Sequence, residues 1–231
     1  MKYLFLLSFF FFTLNFTGVI NVYAAAMAVK VAPVYDFQGL KINVGKYSKS
    51  LRNKKLQVIL EVARAMEQEI NTLSPSEMYV LSIRLYDLGA KDDAVLWYYR
   101  AQYRSKLFFK TLLYPGQMYG AEKNAAGKLW SSYTSFTKQV GTHITGYAGC
   151  NIENWISVIR QVEQSSRTIP DMKAIFKNVE FKEKDEWINA NIEVSAEMQK
   201  LWQAISSRKN KLKQMRNDRD MDAKYCNQSA S

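Results

Sequence analysis

The sequence predicts an all-α fold, one domain of six to seven helices, and three observations carry that prediction. Apolar residues return at three- and four-residue steps in several long windows. Capping and breaking residues bracket those windows, as at Ser74-Pro75 and Gly89. The two-residue alternation that marks a half-buried strand is not cleanly developed anywhere along the chain.

The chain opens Met1-Lys2, runs uncharged from Tyr3 to Val19, and reaches the small residues Ala24-Ala25-Ala26. A basic start, an apolar centre and small residues before a cut are the parts of a secretory signal peptide. Cleavage after Ala24 or after Ala26 both place small side chains at the required positions. The alternative is an uncleaved anchor, since the apolar run approaches the roughly 20 residues that cross a bilayer. Thr13, Asn15, Thr17 and Asn21 interrupt that run. Residues 1–26 are thus expected to be a signal peptide and residues 27–231 a helical binding domain, periplasmic or secreted. No later segment has the length and apolarity of a membrane span.

Residues 27–50 are mixed, with short extended pieces possible around Pro33, Gly39 and Gly45. A helix is expected from about Leu51 to Leu73, burying a stripe of Leu56, Ile59, Leu60, Ala63, Met66 and Ile70. Ser74-Pro75-Ser76-Glu77 combines a capping serine, a proline at the first helical position and a glutamate at the third. That helix should stop at Gly89, and another should start near Asp92-Asp93 and reach about Leu112. The short link makes the two an antiparallel hairpin. After a break at Pro115-Gly116, helix is expected over Asn124–Gln139, then a loop over Gly141–Gly149. Asn151 caps the next helix, Pro170-Asp171 opens a short one, and a long one begins near Asp185. Its end from Ser206 to Asp220 has only Leu212 and Met215 as apolar residues and reads as a solvated segment or a contact arm.

Within the hairpin, Met78, Leu81, Ser82 and Leu85 on the first helix, Gly89 at the turn, and Ala94, Tyr98 and Ala101 on the second form a recognisable pattern. The stretch resembles one tetratricopeptide-type repeat. The run Ala94-Val-Leu-Trp-Tyr-Tyr-Arg-Ala101 is similar to the core of the Sel-like variant. The likeness covers residues 75–102, no second copy follows, and Lys106 stands where the family's closing proline would be. It implies a helical protein- or peptide-binding element. The family's ligand-facing positions fall on Tyr79, Ile83, Tyr86 and Asp87.

The net charge of +11 would fall to about +10 once Lys2 leaves with the leader. In an exported protein this charge favours an acidic protein partner, or an anionic membrane surface, over nucleic acid. The acid-free stretch Lys41–Lys55 and the basic-aromatic stretch Arg100, Arg104, Lys106 and Lys110 could supply such a face. A solvated face over a buried aromatic stripe is the other reading of each. The two cysteines, Cys150 and Cys226, form either one disulfide, as export favours, or two free thiols.

Motifs of chemistry are sparse. His143, the single histidine, lies in the expected Gly141–Gly149 loop and reads as a surface or packing residue. One histidine and two distant cysteines do not make a zinc site of recognised spacing, so no metal and no cofactor is expected. Gly120 to Lys128 has the wrong spacing for a phosphate loop. The carboxylates Glu180, Glu183, Asp185 and Glu186 are interleaved with Lys182 and Lys184 at an expected helix start. These readings point to a non-enzymatic protein-binding module, with Trp97, Tyr86, Arg100 and Arg104 as anchors. Its concrete form is an immunity protein that neutralises a secreted toxin by occlusion. An envelope hydrolase working through His143 and a membrane-surface or secretion accessory protein are the alternatives, and the oligomeric state is open.

Overall fold

The computed structural model describes residues 45–114 and 125–226. The expected signal peptide, the mixed segment before Gly45 and the Pro115-Gly116 break lie outside them. The described residues form α-helices joined by turns, with a single isolated bridge between Leu112 and Phe181. Ten α-helices are present among them, of which seven have ten residues or more, so the all-α reading holds.

A 3-10 turn, Gly45–Tyr47, leads into the short α1 (Ser48–Leu51), and α2 follows over Leu56–Gln68. The single helix expected over Leu51–Leu73 is therefore split. Asn53 breaks it at the front by accepting from the Lys55 N–H at 2.8 Å, and a second 3-10 turn, Ile70–Thr72, closes it. Helix α3 (Pro75–Asp87) begins as its sequence dictates. Ser74 Oγ accepts from the Glu77 N–H at 3.4 Å, while the Glu77 carboxylate accepts from the Ser74 N–H at 2.8 Å. Gly89, at φ 90°, turns the chain into α4 (Lys91–Thr111). Ser82 lets α3 and α4 approach closely and donates from Oγ to the Ala94 carbonyl at 2.7 Å.

Helix α5 runs from Ala125 to Ala148, α6 from Ile152 to Ser165, α7 from Met172 to Ile175 and α8 from Lys184 to Ser207. Helices α9 (Lys209–Asp218) and α10 (Met221–Tyr225) complete the described chain. Helix α4 is the hub, packing against α3, α5, α6 and α8. Its fully buried Phe108 meets Phe109, Tyr133, Phe176 and Phe181 at ring-centroid distances of 4.4–6.2 Å. The Leu113 N–H to Glu180 carbonyl and Lys182 N–H to Thr111 carbonyl bonds tie the end of α4 to the approach to α8.

Two buried arginines act as internal caps. Arg84 donates to the Leu51 and Asn53 carbonyls at 3.0 and 2.9 Å, where α1 ends. Arg104 donates to the Ile70 and Leu73 carbonyls, both at 3.1 Å, where the second 3-10 turn ends. Carbonyls left over at a helix end carry partial negative charge, and a cation placed there satisfies both.

Gly141–Gly149 is a correction to the expected loop, because α5 continues through it to Ala148. Its glycines are sites of close approach. A side chain on Gly141 would collide with the Tyr98 hydroxyl, and a Cβ on Gly146 would lie 2.8 Å from the Tyr225 ring. The long C-terminal helix is also broken at Arg208, which the polar sequence there did not signal. No described helix is long and apolar enough to cross a membrane.

Candidate functional site

The structure corrects the expected binding face. Tyr79 and Ile83 are each 2% exposed, and α5 packs against α3 and covers Tyr79. Tyr79 stacks on Phe136 at 5.2 Å and 12°, and its hydroxyl is 3.5 Å from Thr137 Oγ1. Trp97 is 3% exposed and lies under the Arg100 guanidinium, 4.9 Å from its ring centre. Arg100 is in turn paired with Glu67 of α2, and Arg104 is committed to the carbonyls it caps. Burial holds the Arg104 guanidinium down to about 10. Tyr79, Ile83 and Trp97 are closed off within the fold, and Arg100 and Arg104 reach only a small pocket of about 100 Å³ beside Tyr103 and Ser165.

Tyr86 and Asp87, at the end of α3, are half-buried. Tyr86 meets Tyr147 edge-on at 6.3 Å, and Lys91 lies over both rings. Burial pushes the Tyr86 phenol up to about 12, and its hydroxyl has no hydrogen-bond partner among the described residues. Asp87 pairs with Arg84 at 3.3 Å, yet burial outweighs that attraction and carries its carboxyl up to about 6. The basic residues of α4 beyond Arg104 are also engaged. Lys106 pairs with Glu197 at 2.8 Å, and Lys110 pairs with Glu193 and Glu197 at 2.8 and 3.1 Å. This face is neutralised from within.

An open apolar surface exists elsewhere. A cleft of about 460 Å³ lies between the C-terminal half of α5, the start of α6, and α9 with α10. Its floor is the Gly141, Thr142, Thr145 and Gly146 face of α5, flanked by Tyr98 and Trp155. Glycine and threonine leave the floor shallow in side chain, which is why space remains there. Trp155 is fixed by its indole N–H, which donates to the Tyr99 hydroxyl at 2.6 Å. Leu212 and Met215 of α9 form the opposite wall. The two apolar residues noted in that polar stretch are therefore the ones that face the cleft.

The wall is basic on its outer side. Between Glu197 and Asp218 the chain carries Lys200, Arg208, Lys209, Lys211, Lys213 and Arg216 and no acid. Lys209 pairs with Glu153 of α6, while Lys211 and Lys213 are exposed and make no ion pair among the described residues. Arg216 turns inward, donating to the Gly146 carbonyl at 3.0 Å and to Asp222 at 2.8 Å. The Lys49, Arg52, Lys54 and Lys55 part of the first basic stretch is exposed too, but no described cleft adjoins it.

Cys150 and Cys226 are joined as one disulfide, with Cα atoms 5.8 Å apart, so α10 is fastened to the turn before α6. His143 is on α5, edge-on to Tyr225 at 6.2 Å between ring centres. Burial, and then the nearby Lys224, hold its imidazole below the ordinary value. It packs on α10 and does not line the cleft. Glu183, Asp185 and Glu186 lie at the start of α8, where carboxylates favour the positive helix end.

No protein-family profile matches the chain, and no solved structure matches it. Over 103 residues it is 30% identical to a protein of Haemophilus influenzae (strain ATCC 51907 / DSM 11121 / KW20 / Rd) described as uncharacterized. That stretch is 45% of this chain and 36% of the relative, so the likeness spans little more than a third of the relative's length.

Proposed function

We propose that the chain is an exported, non-enzymatic binding protein that takes an acidic protein partner at the cleft between α5 and α9. The observation that carries this reading is the junction of an apolar cleft with a basic helix, without an acid before its last residue Asp218, whose Lys211 and Lys213 point to solvent. An apolar side chain of the partner would fill the cleft beside Trp155 and Met215, and carboxylates around it would meet the lysines. Apolar anchoring supplies affinity in such an interface, and the charges supply on-rate and selectivity. In its concrete form the partner is a secreted toxin and the chain an immunity protein that covers the toxin's own cleft. Since Trp97, Arg100 and Arg104 are buried, the occluding surface is assigned to α5 and α9 instead.

The test is affinity capture of the tagged full chain from the envelope fraction of its native host, beside a Lys211→Glu/Lys213→Glu variant. The expected result is one stoichiometric acidic partner that survives moderate salt and binds the variant at least about tenfold more weakly. Equal capture by both forms would contradict the assignment of the surface. Recovery of anionic lipid with no protein would move the function to a membrane surface.

A further inference from the structure

The C-terminal arm, α9 with α10, is joined to α5 and α6 by its disulfide and by a small set of contacts near the surface. Helix α9 buries no residue completely, and α10 buries only Tyr225, seated on Gly146. Among the described residues the arm is also tied by the Lys209–Glu153 pair, the Arg216 bond to the Gly146 carbonyl, the edge-on contact of Tyr225 with His143 and the half-buried Leu212 on the core. At the other end of the bridge, Cys150 is exposed, on the turn that precedes the N-terminus of α6. Arg216 touches both sulfurs, its Nη2 lying 3.5 Å from Cys150 Sγ and 3.4 Å from Cys226 Sγ.

A buried disulfide in apolar surroundings is inert, whereas an exposed one beside a fixed cation is open to exchange. The guanidinium attracts an incoming thiolate and stabilises the thiolate that leaves. We propose that Cys150–Cys226 is a thiol-exchange site, opened by a thiol reductant that attacks Cys150 Sγ, and that its opening frees the α9–α10 arm. This inference rests on the bridge and the arm alone and stands whatever the cleft binds.

The steps balance as ordinary exchange. The reductant's thiolate forms a bond to Cys150 Sγ as the bond between the two sulfurs breaks. Cys226 leaves with the electron pair, as a thiolate beside Arg216. A second thiol of the reductant, having lost its proton to water, then attacks the mixed disulfide and displaces the Cys150 thiolate. The reductant ends as a disulfide, and two electrons have passed to the cysteine pair. Arg216 and the positive end of α6 both favour the Cys150 thiolate. Asp222 works against the first step, because its Oδ1 lies 3.6 Å from Cys226 Sγ and it also partly neutralises Arg216.

The opposed charges give a test with opposed signs. Reduction by dithiothreitol would be followed by alkylation and mass measurement in the full chain and in Arg216→Gln and Asp222→Asn variants. Arg216→Gln should be reduced about three- to tenfold more slowly, and Asp222→Asn about two- to threefold faster. Were the two side chains merely structural, both substitutions would loosen the arm and both would speed reduction. That result, or an unchanged rate in Arg216→Gln, would overturn the exchange site. Release is read separately by trypsin. Cleavage within residues 208–219 should accelerate at least tenfold in the reduced, alkylated protein, and an unchanged rate would overturn the freeing of the arm.

Discussion

Replacing both cysteines by serine should act mainly on one part of the molecule, and the chain lengths give the size of the effect. The bridge joins residues 76 apart, and a loop of that length removes about 4.5 kcal/mol of entropy from the unfolded chain. The segment from Ile205, the last buried residue of α8, to Cys226 is much shorter. A loop of about 20 residues corresponds to roughly 3.3 kcal/mol. That smaller figure is the amount by which cutting the bridge favours local opening of the arm. At about 1.4 kcal/mol per factor of ten, the open fraction rises by roughly two orders of magnitude. Global stability falls by up to roughly 4.5 kcal/mol, and by as little as about 1 kcal/mol if the freed arm stays open in the folded protein and regains most of its own loop entropy. Hydrogen exchange of the α9 and α10 amides reads the local term, and urea unfolding followed by helical signal reads the global one. The arm amides should exchange about a hundredfold faster in Cys150→Ser/Cys226→Ser, with the most protected amides of α4 still exchanging only by global unfolding. Arm amides that keep their protection in the double variant would refute the reasoning, since contacts would then hold the arm without the bridge.

Two further expectations follow from the core and from the end of α3. Phe108→Ala empties the centre of the aromatic cluster and should cost about 3–5 kcal/mol in urea unfolding, against under about 0.5 kcal/mol for the exposed Ile188→Ala; equal effects would show that the cluster is not the packing centre. Asp87 has a folded pKa of about 6, above its unfolded value, so its contribution is fully present below about pH 4 and is lost as pH rises through about 6. Asp87→Asn should therefore gain about 1–2 kcal/mol on wild type between pH 4 and pH 7, after discounting for its partial exposure. Parallel stability curves for the two proteins over that range would contradict this.

What the sequence revealed, and what it hid, divides along physical lines. Local chemistry was legible: Ser74 with Glu77 marked the start of α3, Gly89 its end, and Asn151 the start of α6. The cysteine pair was legible as a disulfide once export was assumed, but its contact with Arg216 was not, because 66 residues separate Cys150 from that arginine. Glycines that admit a neighbour look in sequence like glycines that end a helix, and so Gly141 to Gly149 read as a loop. The covering of Tyr79 was hidden for a related reason. A repeat pattern shows which face of a helix is apolar, and α5 of the same chain supplied what covers it. The cleft was foreshadowed only by Leu212 and Met215, two apolar residues in a polar stretch, whose partners across the fold no local pattern could name.

The central claim is that α9 and the cleft beside it form the binding surface, and lysine acetylation of the complex with its captured partner tests it most directly. The account predicts that Lys211 and Lys213 lose reactivity in the complex while Lys49, Lys54 and Lys55 keep theirs. Protection of Lys54 and Lys55, with Lys211 and Lys213 still reactive, would contradict it and place the partner at the basic segment between α1 and α2.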